Sequence, residues 1–129
     1  MKTNLLFVKN GLVVLFLFAA FASNAQTVVQ PKINITSFQL MKDQNKVMIK
    51  WSTDSASTTN YFIVEKSDDG KNFKTVAYVF GSDPTQKDCE CFDCFDKITR
   101  KNITSYYRLK HVNTNGIIQF SEVKMLALK

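Results

Sequence analysis

At 129 residues, with 45% hydrophobic and 22% charged residues, the chain has the composition of a globular protein and excludes a disordered or collagenous one. Its 17 Lys and Arg against 11 Asp and Glu give a formal charge of +6. The lysines are scattered singly and form no stripe, which speaks against a nucleic-acid partner and for solvated strand faces.

The N-terminus reads as a targeting signal. Lys2 and Lys9 supply a positive start, Leu12–Phe18 an apolar run, and Ser23-Asn24-Ala25 the small residues that precede a cut before Gln26. The apolar stretch from Gly11 to Ala22 is shorter than the ~20 residues a membrane span needs. No cysteine follows it directly, which argues against a lipidated form. The expectation is a signal peptide over 1–25, a flexible lead-in over 26–32 containing Pro31, and one domain over 33–129. The mature protein is then exported to the periplasm, the cell surface or the medium, with no stable membrane insertion. A chain of that length buries roughly two-thirds of its unfolded surface and folds without metal or disulfide.

The body alternates short apolar segments with turn chemistry and shows no sustained helical period. Ile33–Leu40 is taken as the first strand. Lys46–Trp51 is the cleanest: Val47, Ile49 and Trp51 point one way, Lys46, Met48 and Lys50 the other. A polar loop, Ser52–Asn60, follows. Tyr61–Ser67 is the next strand, with Phe62 and Val64 facing the core, and Asp68-Asp69-Gly70 is a tight turn. The three-residue spacing of Phe73, Val76 and Val79 predicts a bend or bulge. After a loop at Gly81–Asp88, Glu90–Lys97 is a strand with Phe92 and Cys94 on one face. Thr104–Val112 is another, with Tyr107 and Leu109 inward. Asn113–Gly116 turns the chain into Ile117–Leu128, whose apolar parity shifts between Phe120 and Val123 and so predicts a second bulge. This makes about seven strands, the count of a β-sandwich of the immunoglobulin class.

Trp51, the run Asn60–Phe73, Tyr106–Lys110 and Asn113–Gly116 together resemble the fibronectin type III-like modules of exported Bacteroidota proteins, which usually precede a C-terminal sorting domain. The resemblance spans Ile33 to Met125. It implies a seven-stranded fibronectin type III-like sandwich with Trp51 and Tyr107 as core anchors beside Phe62, Val64 and Leu109. It also implies that the Tyr107 hydroxyl bonds to backbone near the preceding corner. The family usually has an aromatic where Cys94 stands, and it lacks Cys89-Glu90-Cys91. The chain ends at Lys129 without a sorting tail, so a free-standing relative, a truncated copy and a subunit are all in view.

Asp88–Asp96 packs three cysteines among four carboxylates. An intramolecular disulfide, by Cys89–Cys91 or Cys89–Cys94, leaves one cysteine over. Alternatively, Cys89, Cys91 and Cys94 hold a soft metal, or the odd cysteine links two chains as a disulfide-bonded dimer. A structural metal usually takes four ligands, whereas this chain has three thiols in one place and one histidine, His111. No cofactor motif and no nucleophile–base–acid set is recognisable, so the chain is read as non-enzymatic. Asn34-Ile35-Thr36 and Asn102-Ile103-Thr104 are chance matches to a glycosylation pattern. Asp54-Ser55-Ala56 fits a bacterial O-glycosylation acceptor at Ser55. The expected function is contact with a protein or glycan of the cell envelope, through the loops Ser52–Asn60 and Gly81–Glu90 or through a sheet edge. A small thiol- or metal-handling protein built on the cysteine cluster is the alternative.

Overall fold

A computed structural model describes residues 34–54, 58–81, 84–85 and 89–129. The expected signal peptide, the lead-in and Ser55 lie outside the described residues. The described residues form eight strands and no helix. They are β1 (Ile35–Asp43), β2 (Lys46–Thr53), β3 (Thr59–Ser67), β4 (Lys74–Phe80), β5 (Cys91–Lys97), β6 (Ile103–Asn113), β7 (Ile118–Phe120) and β8 (Lys124–Leu128). One sheet has the order β1-β2-β5 and the other β4-β3-β6-β7, with β8 also paired to β6. All pairings are antiparallel.

Where seven strands were expected there are eight, because the last segment is interrupted. Lys110 pairs with Phe120 and Tyr107 pairs with Lys124. Ser121–Val123 therefore stand opposite Arg108 and Leu109, one residue more than an unbroken register needs. The same device occurs in the β3–β4 hairpin. Val64 pairs with Ala77 and Glu65 with Thr75, which leaves Val76 as the extra residue.

Strand alternation sends one face of each sheet inward. Phe38, Val47, Ile49, Trp51 and Phe92 come from the three-stranded sheet, and Phe62, Val64, Tyr107, Leu109 and Leu128 from the other. Three rings join the layers. Trp51 meets Phe62 edge-on at 5.4 Å, stacks on Phe92 at 5.8 Å, and Phe62 and Phe92 are 5.0 Å apart.

The turns are held by side chains. Asp69 accepts from the backbone N–H groups of Lys71 and Asn72, from the Asn72 amide and from the Ser67 hydroxyl. These bonds hold its carboxyl well below the usual range. Gly70 follows at φ 75°, with the Tyr106 ring 3.4 Å from where a Cβ would stand. Position 70 thus favours glycine for its dihedral, while a Cβ there would meet the Tyr106 ring at ordinary van der Waals distance.

Candidate contact face

The face of the β4-β3-β6-β7 sheet that points away from the core carries two cross-strand rows. In the first, Phe80 pairs with Tyr61, Tyr61 with Val112 and Val112 with Ile118. In the second, Tyr78 pairs with Ile63, Ile63 with Lys110 and Lys110 with Phe120. Seven of these eight side chains are apolar or aromatic. Four strands at ~4.8 Å spacing make a platform roughly 14 Å wide. Its rim is open: Tyr78 is 62% exposed, Phe80 60%, Phe120 51% and Ile118 49%. Ile63 and Val112, at the centre, are buried. Tyr61 and Tyr78 lie 6.0 Å apart and tilted, so each offers part of its ring.

Cations border one half of the platform. The Arg108 guanidinium lies 4.0 Å from the Phe73 ring and 4.3 Å from the Phe120 ring, and its Nε donates to Glu65 at 2.6 Å. The Lys110 ammonium is 6.0 Å from the Phe120 ring centre. Next to Phe120, a cleft of about 350 Å³ opens between β1 and the β7–β8 interruption. Asn34, Thr36, Glu122 and Lys124 line it with polar groups.

The residues singled out from sequence lie elsewhere. Trp51, Phe62, Val64, Tyr107 and Leu109 are all buried. The Tyr107 hydroxyl bonds to a side chain, not to backbone near the preceding corner. It donates to Asp96 at 2.8 Å, and Lys66 donates to the same carboxylate oxygen at 2.8 Å. Asp96 shares the inward face of β5 with Phe92 and Cys94, and a carboxylate there is a stronger acceptor than a peptide carbonyl. Burial, followed by this bond, raises the Tyr107 hydroxyl above its ordinary value.

The three cysteine sulfurs do not converge. Cys89 and Cys91 are joined to each other as a disulfide, and Cys94 is free. Cys91 pairs with Ser52 on the outward row, while Cys94 packs against the core. Burial, and then the Asp93 and Asp96 charges, push the Cys94 thiol up to about 12. It stays protonated at neutral pH and is a poor nucleophile or metal ligand. No group of three or more His, Cys, Asp or Glu among the described residues is placed to hold a metal. His111 is committed to the interior. Its Nε2 shares a 2.9 Å hydrogen bond with the Thr59 hydroxyl, its ring lies 5.3 Å from Phe62, and burial lowers its pKa.

Sequence reasoning missed the platform. The signal was present in Ala77-Tyr78-Val79-Phe80, whose alternation sends Val79 inward and both aromatics outward. That Phe120 joins them depends on cross-strand register, which only the folded sheet defines.

No protein-family model matches the chain, and no curated protein matches it significantly. Solved structures share its fold. The pectate lyase PelI from Erwinia chrysanthemi, in complex with tetragalacturonic acid, is similar over 74% of this chain and 28% of its own, with 16% identity and a TM-score of 0.54. OgpA from Akkermansia muciniphila is similar over 78% of this chain and 29% of its own, with 13% identity and a TM-score of 0.58. A protein from Bacteroides uniformis, provisionally described as carbohydrate-binding, is similar over 76% of this chain and 58% of its own, with 12% identity and a TM-score of 0.52. The chain thus spans between about a quarter and somewhat over half of the length of these structures. Identities this low speak to the fold: an antiparallel β-sandwich.

Proposed function

We propose that this protein is an exported, non-catalytic β-sandwich module of the fibronectin type III-like kind, and that it makes contact with glycans through the outer face of its four-stranded sheet. The observation that carries this reading is the pair of aromatic rows. Solvent-facing rings set at strand spacing match the apolar C–H faces of pyranose rings, and an open apolar patch of this kind marks an interaction surface. The fold neighbours lend support, since one is described as carbohydrate-binding and another is a pectate lyase with a bound oligogalacturonate. The commitment of His111 and Cys94 to the interior favours binding over turnover. Contact by the sheet face takes the place of the end-loop contact expected from sequence; residues 55–57, 82–83 and 86–88 of those loops lie outside the described residues. Export rests on the order of charged, apolar and small residues before Gln26.

Affinity electrophoresis against a panel of polysaccharides tests the reading. The wild-type protein is retarded by at least one polymer. Tyr78→Ala and Phe80→Ala abolish the retardation while the melting temperature stays within a few degrees. Retardation that survives both substitutions, or a panel with no binder, overturns the reading.

A further inference from the structure

Resting on that reading, we infer that the glycan bound by the platform is acidic: a chain of pyranose rings carrying carboxylate or sulfate groups. The two rows contain no Asp, Glu, Asn or Gln. Recognition of a neutral sugar relies on such acceptors, which take the protons of vicinal hydroxyls while their neighbours donate. The polar groups of the rows are instead two phenol hydroxyls, Tyr61 and Tyr78, towards β4, and one ammonium, Lys110, between Ile63 and Phe120. No carboxylate among the described residues pairs with Lys110. The one carboxylate on the neighbouring row, Glu65, is engaged by Arg108 at 2.6 Å, so it neither neutralises Lys110 nor repels an incoming anion.

The spacing suits the chemistry. Lys110 and Phe120 are directly opposite on adjacent strands, ~5 Å apart, about the width of one sugar ring. A ring stacked on Phe120 would bring an in-plane acidic substituent to the Lys110 ammonium. Arg108 lies over the same ring at 4.3 Å, but its charge is offset by Glu65, so Lys110 is the net cation at that end. A single-stranded nucleic acid would also stack on aromatics, but it carries a phosphate at every nucleotide and needs a track of cations along its backbone. Within the two rows only Lys110 supplies one.

The test uses the full exported chain, with binding measured by isothermal titration calorimetry. The ligands are polygalacturonate, a sulfated galactan, a neutral galactan, a neutral glucan and a thymidine oligonucleotide, each at low and high salt. The inference expects one or both acidic polymers to bind more tightly than either neutral one, with affinity falling as salt rises. Polygalacturonate and sulfated galactan distinguish the carboxylate from the sulfate source. Lys110→Gln weakens acidic binding by roughly two- to fivefold, the range of one exposed ion pair, and unfolds at the wild-type temperature. Neutral polymers bound as tightly, with Lys110→Gln silent, would overturn the acidic assignment and leave glycan contact standing. An oligonucleotide bound as tightly as the acidic polymers would overturn it in favour of nucleic acid. Binding of none of the polysaccharides, by a protein whose fold is intact, would remove the glycan reading itself.

Discussion

Trp51 is 1% exposed, and its indole N–H has no hydrogen-bond partner among the described residues. Its value to the fold is therefore carried by its contacts with Phe62 and Phe92. Trp51→Ala is expected to cost ~3–5 kcal/mol, and Trp51→Phe markedly less, because an unpaired donor leaves with the indole. Urea titrations compare the two. Tyr107 differs, because its hydroxyl bonds to an ionised group. Tyr107→Phe is expected to cost roughly 1.5–3 kcal/mol, above the ~1 kcal/mol of a bond to a neutral carbonyl. In an Asp96→Asn background the same change is expected to cost less, which a double-mutant cycle measures. His111 adds a pH dependence. Burial lowers its pKa from 6.5 in the folded state, so the unfolded chain binds the proton more readily. Stability is complete above about 6.5 and is lost as pH falls through the window below that value. The urea midpoint is expected to decline from pH 7 towards pH 5, and His111→Gln to flatten that limb. The Asp69 carboxyl, held low by its turn, contributes stability that is lost only as pH falls below the ordinary value of 3.8. Its limb is thus separate from that of His111.

At the scale of the strand, β2 and β6 were legible because each has one wet and one dry face: Val47, Ile49 and Trp51 in one, Tyr107 and Leu109 in the other. Position parity decides which way a side chain points, and parity is written in the chain. The two bulges were legible for the same reason, since a break in apolar parity is visible at Val76 and between Phe120 and Val123. What parity does not contain is the identity of the neighbour. Asp96 reads from sequence as one acidic residue in a cluster of four. Its role beneath Tyr107 and Lys66 appears only when β5 of one sheet packs over β3 and β6 of the other. The platform has the same origin: its eight residues come from four strands, β4, β3, β6 and β7.

For the molecule as a whole, the cysteine cluster is expected to be dispensable for folding, although Cys94 packs against the core. Cys89 and Cys91 are separated by two positions, and a loop that small constrains the unfolded chain little. The triple variant Cys89→Ser, Cys91→Ser, Cys94→Ser is expected to fold. Its modest loss comes from placing a hydroxyl where Cys94 now packs against the core. Circular dichroism and a thermal melt check this, and a variant that stays unfolded would point to a structural metal or an essential bridge. The rings that join the sheets and the rings of the outer face are thus different residues. The interior rings hold the sheets together, while replacing the exposed rings of the outer face is expected to cost little in melting temperature.

The interruption at Ser121–Val123 makes segment length itself a carrier of information. Upstream of it, Ile118 and Phe120 face solvent; downstream, Leu126 and Leu128 pack against the core. An unbroken strand would put all four on the same side. The spare residue changes the phase, so one stretch of chain can display a ring outside and then seal the interior with leucines. Deleting Glu122 is expected to force a choice between exposing Leu126 and Leu128 and burying Phe120. It should cost several kcal/mol in a denaturant melt, although Glu122 is itself an exposed side chain. Substituting Glu122 by Ala, which keeps the length, should change stability by less than about 0.5 kcal/mol.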